Sequence, residues 1–479
     1  MNYRMIGYLL SIIMLLEAAF MTLPMITAVC YGESILPFLY TIGILVALAL
    51  PSMIFKPKNK QIFAKEGFVC VAASWIVLSA FGALPFVFSG AIPSYIDAFF
   101  ETVSGFTTTG ATILGEIESL GRGILFWRSF THWIGGMGVL VFMLAILPSD
   151  DGRAIHLLRA EVPGPTKGKL VPKLKQTALI LYLIYMALTI IEIIALLIVR
   201  LPLYDSIVTA FATAGTGGFS VMNDSIAGYA NPAAEWVIAI FMLIFSINFN
   251  LYFFILLGKV RDVLANEELR AFLAIVFLAT VAIVINTWQM FAHASDGIRA
   301  AFFQVTSIIS TAGFATEHYE LWPALSQTIL VLLMITGACA GSTAGGFKIS
   351  RILLVFKNVF REIKQALRPR SINRVRMDGE VVPNETIHTA SGYLAIYLFI
   401  TLISLLLVSF DGYSLETNIT ATISCVNNVG PALGSVTPFG NFGDFSIFSK
   451  VIFSLDMLFG RLEIIPMIIL FSPSTWLKR

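Results

Sequence analysis

Charged residues are scarce in this sequence. Asp, Glu, Lys and Arg together make up 13% of its 479 residues, whereas a soluble domain averages about 25%. The mean hydropathy is +0.85, and many apolar runs reach the roughly 20 residues that a helix needs to cross a bilayer. The composition therefore excludes a soluble protein and predicts an all-α membrane protein.

Cysteine and histidine are also scarce. The four cysteines and five histidines show none of the spacings that are typical of metal or redox sites. The sequence has no phosphate-binding loop, dinucleotide fingerprint or catalytic triad, and no acid–base cluster of the kind that a membrane enzyme needs. We therefore expect no enzymatic activity, no metal or cofactor held by this chain, and no nucleic acid partner. Any control by nucleotides would have to come from another chain.

The first apolar run extends from Met5 to Val29 and follows Arg4. A secretory signal peptide has an apolar region of about 7–15 residues. This run is longer, and no clear small-residue cleavage site follows it. We interpret it as a retained helix and as the first member of a transmembrane helix pair in residues 1–57.

The most informative polar stretch is Ser104 to Thr112, which lies between two apolar runs. It is too rich in threonine and glycine for a spanning helix. Non-helical backbone at membrane depth is tolerated only where protein buries it or where it lines a water-filled cavity. Backbone carbonyls and threonine hydroxyls that face such a cavity are good ligands for a dehydrated alkali cation. The stretch therefore predicts one quarter of an ion filter.

Three similar stretches follow along the chain, each after a short amphipathic segment. Their glycines align with Gly110 as Gly218, Gly313 and Gly430, at spacings of 108, 95 and 117 residues. Internal repeats on this scale define an architecture. We predict four helix–pore-loop–helix repeats around one pseudo-four-fold pore, after the two extra N-terminal helices. The expected repeats are residues 58–150, 151–260, 261–366 and 367–479.

The filter positions follow from the alignment of the loops. Glycine reaches left-handed conformations without steric cost, so successive carbonyls can turn toward one axis. The predicted filter residues are Thr108, Thr109, Gly110, Gly217, Gly218, Thr311, Ala312, Gly313, Asn428, Val429 and Gly430. The fourth loop departs from the others because Pro431 lacks a backbone donor. We expect four unlike loops to discriminate among alkali ions less well than four identical strands would.

Positive charge predicts the orientation in the membrane. Lys and Arg crowd the segments 56–65, 153–175, 259–270 and 348–376 and the C-terminal pair Lys478 and Arg479. These segments all lie on the cytoplasmic side if each glycine loop re-enters without crossing, which gives ten spanning helices and two cytoplasmic termini. The second helices of the repeats are expected near residues 122–147, 234–257, 324–365 (interrupted) and 446–471. The run from Arg351 to Arg376 is interpreted either as a docking surface for a cytosolic regulator or as a positive anchor.

Acidic residues gather on the opposite side, where the glycine loops would open outward. Among them are Asp97, Glu101, Asp224 and Glu317. An acidic mouth raises the local concentration of cations. The plainer interpretation of each single residue is a solvated rim.

Two features lie on the cytoplasmic side of the predicted filter. The first is Gly337 to Lys348, whose candidate gate residues are Gly341, Ser342, Thr343, Gly345 and Gly346. Each glycine costs about 1 kcal/mol relative to alanine inside a helix, so a continuous helix is poorly stable here, and broken helices often line transport sites. We hypothesise a mobile segment beneath the filter. The alternative is a small-residue face that packs on a neighbouring helix.

The second feature is Arg461, which lies in the last predicted helix. A charge inside a membrane segment is costly and usually faces a cavity or a partner. An arginine below the filter would repel cations and act as a barrier. The alternative is a structural pair with Glu463 or with another carboxylate.

The sequence resembles the TrkH/TrkG/KtrB superfamily of potassium transporters over nearly its whole length, and the TrkH branch most. The motifs that carry the resemblance are Thr107–Thr112, His132–Gly138, Gly217–Ser220, Gly341–Gly346 and Gly460–Glu463. The resemblance implies that the aligned glycines form a potassium selectivity filter, that Gly341–Gly346 is an intramembrane gating loop and that Arg461 is the pore arginine. It further implies a homodimer in the bacterial inner membrane, in contact with lipid and with a cytosolic TrkA-type ring that binds nucleotides.

The expected function is therefore potassium uptake through a gated, channel-like pore, with K⁺ as the substrate. Glycine at the first filter position, Gly110, matches the family's potassium-type pattern. Two alternatives stay open. One is a symporter coupled to H⁺ or Na⁺, which the lack of an evident second carboxylate site disfavours only weakly. The other is a sodium-permeable member of the family.

Overall fold

The N-terminal residues form a helix pair that packs beside the first repeat. The computed structural model describes residues 1–57, 59, 62–138, 174–371 and 373–476. The pair consists of α1 (Tyr3–Phe20), α2 (Thr22–Cys30) and α3 (Leu36–Ile54), in which α1 and α2 together make one span. Buried Leu9 and Ile13 of α1 belong to the largest apolar cluster of the protein. The predicted N-terminal pair is therefore present.

Four repeats follow, each built from a first helix, a pore helix, a loop and a second helix. The first two repeats contain α4 (Ala64–Gly82), α5 (Leu84–Phe88), α6 (Tyr95–Phe106), α7 (Arg122–Gly136), α8 (Leu174–Ile198), α9 (Leu203–Gly215), α10 (Pro232–Phe245) and α11 (Phe249–Leu256). A short helix, α12 (Val260–Ala265), connects them to the third repeat. The pore helices are α6 and α9.

The last two repeats have the same order. They contain α13 (Glu267–Thr287), α14 (Ala294–Ile309), α15 (Ala324–Thr336), α16 (Ile349–Leu367), α17 (Asn384–Val408), α18 (Leu415–Asn427), α19 (Ile447–Arg461), α20 (Ile465–Phe471) and α21 (Pro473–Trp476). Here the pore helices are α14 and α18. Single 3₁₀ turns lie at Ala227–Tyr229, Tyr319–Leu321 and Ser409–Asp411.

A small antiparallel hairpin lies between α16 and α17. It pairs β1 (Arg376–Met377) with β2 (Glu380–Val381). The hairpin contacts the start of α13, because the Glu267 N–H donates to Asp378 Oδ1 over 2.8 Å, and Lys357 of α16 pairs with Glu267. Part of the basic run from Arg351 to Arg376 is thus held against the third repeat.

First helices and second helices differ in continuity. In the described part of the chain, six spans are long and apolar enough to cross a membrane by themselves. They are the N-terminal pair and the four first helices, at Tyr3–Cys30, Leu36–Ile54, Ala64–Phe88, Gln176–Ile198, Glu267–Thr287 and Asn384–Asp411. Outward faces of these helices expose large apolar side chains such as Phe277 and Ile285, as a lipid-facing helix requires. The pore helices, by contrast, are buried among them.

The second helices are less continuous than predicted, beyond the interruption that was expected in the third repeat. The predicted helix 234–257 is bent by 89° between α10 and α11, where Asn248 Oδ1 caps α11 by accepting the Asn250 N–H. The predicted helix 446–471 breaks after Arg461, where Glu463 and Ile464 have positive φ. A new helix with Pro466 in its first turn begins at Ile465. The predicted helix near 122–147 ends at Gly136 as described. Its remainder beyond 138, the basic segment up to residue 173, and Lys478 and Arg479 lie outside the described residues.

Candidate ion pathway

The four loops share one unusual backbone conformation. Each has two left-handed residues, one at the aligned glycine and one two positions earlier. The glycine φ values are 80°, 77°, 77° and 99°, and the earlier residues are Thr108 (57°), Thr216 (54°), Thr311 (58°) and Asn428 (56°). A β-branched residue in this region is a true outlier that costs about 1–2 kcal/mol. Strain of this kind persists where the surrounding structure enforces it, and it clusters at functional sites.

The pore helices end in the same cap, which explains why the strain recurs. In the first loop the Thr109 N–H donates to the Ser104 carbonyl over 2.9 Å, and the Thr108 N–H donates to the Gly105 carbonyl over 3.1 Å. This pair of bonds is a Schellman motif, which requires a left-handed residue after the helix. The equivalent long bonds in the other loops join Gly217 to Ala212 (2.8 Å), Ala312 to Ser307 (2.9 Å) and Val429 to Ser424 (2.9 Å).

The loops meet around one axis in chain order. A Cβ added to Gly110 would overlap the carbonyl oxygen of Gly217 in the next loop. The same relation joins Gly218 to Ala312, Gly313 to Val429, and Gly430 back to Thr109. The last contact closes a ring of four. Only glycine permits this approach, because any side chain would occupy the space of the neighbouring carbonyl.

A cavity lies on the outer side of the ring. Its volume is about 130 Å³, and all four aligned glycines contribute to its wall. Arg128 and Asp224 also line it. The C-terminal ends of the four pore helices, which carry partial negative charge, converge on the inner side of the same ring. The arrangement thus offers carbonyl oxygens and helix ends of the sign that favours a cation.

Beneath the ring, the side chains of the strained residues meet other elements. The Thr216 hydroxyl lies 3.5 Å from the Thr343 hydroxyl, and the Gly345 N–H donates to Thr311 Oγ1 over 2.7 Å. Asn428 differs, because its Nδ2 donates to Thr109 Oγ1 over 2.9 Å and to the Met457 carbonyl over 2.9 Å. The inner face of the ring is therefore bonded to the layer below it.

Residues 337–348 form that layer and have no helical structure, as the glycine content predicted. The segment runs from the end of α15 to the start of α16. Its backbone contacts the fourth loop, where the Gly346 N–H donates to the Asn427 carbonyl over 3.0 Å, and α11, where the Gly341 carbonyl accepts the Phe249 N–H over 3.0 Å. Its glycines also allow close backbone contacts, since a Cβ on Gly337 would overlap Gly346. The segment is both a helix break and a packing surface.

Arg461 completes the layer from the opposite side. It ends α19, and its guanidinium donates to Thr108 Oγ1 over 3.1 Å, to the Thr343 carbonyl over 2.7 Å and to the Gly136 carbonyl over 2.9 Å. A further bond goes to the Gly135 carbonyl. Glu463, considered from the sequence as a partner for Arg461, forms an ion pair with Arg351. The guanidinium thus joins the first loop, the 337–348 segment and the end of α7.

Comparisons with known proteins agree over the full length of the chain. A family model described as "TrkH: Cation transport protein" matches residues 38–478. The Trk system potassium uptake protein TrkH of Escherichia coli K12 is 36% identical over 484 residues, which cover 99% of this chain and 100% of that protein. This chain belongs to the TrkH family of cation transport proteins.

Two further relatives, one by sequence and one by structure, agree with this assignment. The Trk system potassium uptake protein TrkG of Escherichia coli K12 is 32% identical, with 99% of each chain covered. The crystal structure of the potassium transporter TrkH from Vibrio parahaemolyticus superposes with a TM-score of 0.90 at 30% identity, and all of both chains is covered. The resemblance to the TrkH branch is therefore confirmed, as is the all-α membrane fold with its repeated pore-loop units. The family is described as one of transport proteins rather than of enzymes.

The structure brings the predicted site residues of this TrkH-family protein together in two layers. The eleven predicted filter residues belong to the ring, and the six predicted gate residues belong to the layer beneath it. Thr216, which has the same left-handed conformation as Thr108 and Thr311, completes the ring. The alignment of the loops places Thr216 two positions before Gly218.

Three buried residues behind the ring were missed as site residues by the sequence reasoning. Glu101, taken there as a member of the acidic rim, is 1% exposed and pairs with Arg128 of α7. His132, also of α7, is 0% exposed. The signal available in the sequence was Glu101 itself, a charged residue in the middle of the amphipathic segment before the first filter loop. Its partner Arg128 could not be identified in the same way, because it lies in another helix. Asp97, another acid from the predicted rim, pairs with Lys450 over 2.8 Å.

Proposed function

We propose that this protein takes up potassium through the ring formed by its four loops, with K⁺ as its substrate. The observation that carries the proposal is the closed cycle in which each aligned glycine lies against the carbonyl of the next loop. Such a ring can replace the hydration shell of an alkali cation. The printed names of the relatives, which are potassium uptake proteins, support the choice of K⁺.

The filter residues would act through their backbone. The left-handed positions alternate along each loop, which turns successive carbonyls toward the axis. Oxygens from the residue before each glycine, such as Thr109 and Gly217, lie at the contact between neighbouring loops. The threonine hydroxyls below them would supply a further level of ligands. The C-terminal ends of the pore helices would hold a cation in the space beneath.

The layer beneath the ring would act as the gate. The segment 337–348 and Arg461 together hydrogen-bond to all four loops, at Thr108, Thr216, Thr311 and Asn427. A permeating cation must pass a guanidinium that is held in place by four oxygen acceptors. Opening would require these bonds to break, so that the segment moves away from the axis. The bonds found here fit a closed pathway.

The cellular setting is part of the same proposal. The protein would lie in the bacterial inner membrane, with lipid around its first helices and with both termini in the cytoplasm. It would work as a homodimer with a pore in each protomer and would be controlled by a cytosolic TrkA-type ring that binds nucleotides. Basic residues of α16, of which Lys357 contacts the hairpin and α13, fit a cytoplasmic surface.

Coupled transport is the second candidate, and one observation favours it. Glu17, Glu192 and Asp456 are at most 1% exposed inside the helical bundle. A second carboxylate site is not evident in the sequence, which disfavours a symporter weakly, but these buried carboxyl groups could form such a site. Currents through single proteins in a planar bilayer separate the mechanisms. Open-channel steps in the absence of any H⁺ or Na⁺ gradient support a channel, and strictly gradient-dependent flux supports a symporter.

The deciding experiment is growth at low potassium in a bacterial strain that lacks its own uptake systems. The unaltered protein should restore growth. Gly110→Ser should not, because its Cβ would overlap the Gly217 carbonyl. Gly412→Ser is the matched control, since Gly412 has a similar φ of 76° but no heavy atom within 4 Å of an added Cβ. Failure of the unaltered protein to restore growth, when it is present in the membrane, would overturn the proposal.

A further inference from the structure

Glu101 and Arg128 form a buried ion pair that belongs to neither the filter nor the gate. Glu101 Oε1 lies 2.7 Å from Arg128 Nε, and the two side chains are 0% and 2% exposed. Burying two charges costs several kcal/mol per ion. The attraction between them repays this cost only if further hydrogen bonds satisfy the remaining atoms. Those further bonds all go to filter loops or to their continuation.

Glu101 holds the outer limb of the first loop, by which we mean the part of a loop that follows its aligned glycine. It lies on α6, and its carboxylate accepts the Thr112 hydroxyl over 2.9 and 3.1 Å and the Ile113 N–H over 2.9 Å. These residues follow Gly110 by two and three positions. The carboxylate thus fixes the chain where it leaves the ring on its outer side.

Arg128 holds the outer limb of the second loop. Its Nη1 donates to the Ser220 carbonyl over 2.8 Å, and its guanidinium lies 3.6 Å from the centre of the Phe219 ring. One turn farther along α7, His132 Nε2 accepts the Phe219 N–H over 3.3 Å, and His132 Nδ1 lies 2.8 Å from the Gly105 carbonyl oxygen. The ion pair is therefore a link between the first and second loops.

The other loops are braced from their own pore helices. Gln304 stands nine residues before Gly313, as Glu101 stands nine before Gly110, and its amide hydrogen-bonds with Thr316. In the fourth loop, Thr420 Oγ1 accepts the Leu433 N–H over 3.1 Å. In the second repeat, the residue nine positions before Gly218 is Thr209, whose side chain is shorter than those of Glu101 and Gln304. The second loop takes its brace from the neighbouring repeat, through Arg128.

We propose that Glu101 and Arg128 are positioning residues that set the separation of the first two loops and so contribute to the discrimination of K⁺ from Na⁺. The inference rests on the proposed function. A smaller ion binds well only if the loops can draw closer around it. A rigid link between the outer limbs opposes that movement, and it acts without contacting the ion.

The test compares permeability ratios of purified protein in planar bilayers with K⁺ on one side and Na⁺ on the other. The double variant Glu101→Gln with Arg128→Met removes both charges and leaves no unpaired charge behind. We expect its ratio of Na⁺ to K⁺ permeability to rise by about tenfold, as loss of a charge-assisted bond would allow. Glu235→Gln is the matched control. It breaks the Arg299–Glu235 pair, which has a 2.8 Å contact between α10 and α14, and should leave the ratio unchanged.

The possible outcomes distinguish a failure of this inference from a failure of the proposed function. If the unaltered protein shows no preference for K⁺, the proposed function fails and this inference fails with it. If the unaltered protein prefers K⁺ and a folded double variant keeps the same ratio, the pair only stabilises the fold and the inference is overturned. If the double variant does not fold, Thr112→Val decides, because it removes one hydroxyl donor to Glu101 and keeps the ion pair. A ratio raised by about twofold supports the inference, and an unchanged ratio overturns it.

Discussion

The ring of loops and the layer beneath it are built on different plans. In the ring, every quarter has the same left-handed pair, the same helix cap and the same contact with its neighbour. Beneath it, the second helices of the second, third and fourth repeats are interrupted in different ways, and two features that occur once, the segment 337–348 and Arg461, meet at the axis. Four equivalent loops suit a filter, which must surround an ion equally on all sides. A gate needs only one movable segment to block the path.

Changes in the ring and changes in the layer beneath it should have different consequences. A change in the ring alters the space in which carbonyls surround an ion, and it should therefore affect whether potassium passes at all. A change in the layer alters bonds that hold a segment across the path. It should alter the amount of flux and leave the choice of ion unchanged. Five variants test this division.

The largest effect is expected for Gly218→Ala. The added Cβ would overlap the Ala312 carbonyl, and φ at this position is 77°, which disfavours alanine. Potassium uptake, measured as ⁸⁶Rb⁺ accumulation in cells, should fall to background. Gly90→Ala is the control, because Gly90 has a φ of 75° and no heavy atom within 4 Å of an added Cβ. Normal uptake by a correctly inserted Gly218→Ala protein would contradict the ring model.

A smaller effect of opposite sign is expected for Arg461→Ala. Removal of the guanidinium abolishes the bonds to Thr108, Thr343 and Gly136 and takes a positive charge out of the path. Flux in proteoliposomes should rise about tenfold, because one charge near a weakly screened path changes the barrier by more than thermal energy. The preference for K⁺ should stay.

Arg461→Lys separates the two contributions of this residue. Lysine keeps the charge but lacks the planar fork that bonds several carbonyls at once. A flux close to that of the unaltered protein shows that charge forms the barrier, whereas a flux close to that of Arg461→Ala shows that the hydrogen bonds do. No change in flux with either variant would remove Arg461 from the gate.

Gly345→Ala should have a moderate effect. Its added Cβ would overlap the Asn427 carbonyl, which also accepts the Gly346 N–H over 3.0 Å, so the segment would be pushed away from the fourth loop. We expect flux to rise about threefold, in line with the loss of one neutral hydrogen bond. Gly392→Ala, in α17 with open space around it, should leave flux unchanged. Equal flux in the two variants would argue against movement of the segment.

The smallest effect is expected for Glu268→Gln. Glu268 Oε1 accepts the Ala340 N–H over 2.7 Å and the Ser350 N–H over 3.0 Å, so one carboxylate clamps the segment to the start of α16. A neutral amide makes weaker bonds than a carboxylate, and flux should rise about twofold. The adjacent Glu267→Gln is the control, because the Glu267 contacts go to Lys357 and the hairpin. An equal rise in both variants would contradict the clamp.

The sequence predicted features that depend on neighbouring residues or that repeat along the chain. It did not predict features that depend on a contact with a residue far away in the chain. The break at 337–348 followed from glycine content. The break between Phe245 and Phe249 was missed, since Ser246, Ile247 and Asn248 include neither glycine nor proline. Pro466 lies in the first turn of the helix that follows the break near the C-terminus, but the apolar run around it predicts a continuous helix. Glu101 was taken for a rim acid because nothing near it in the chain shows that Arg128 lies beside it.

The sequence alone determined that the chain is helical and membrane-embedded, that it contains four related loops, and that Gly110 and its three counterparts share a register. These properties depend on composition and on spacing along one chain. The tertiary structure alone decided that the register closes into a ring, that Thr108 and its counterparts are held left-handed, and that Arg461 bonds to oxygens from other repeats. The closure of the ring and the bonds of Arg461 join residues 94 or more positions apart, and the left-handed conformation of Thr108 follows from a helix cap that forms only in the folded loop. The approach of a distant carbonyl leaves no trace in the spacing of the residues around it.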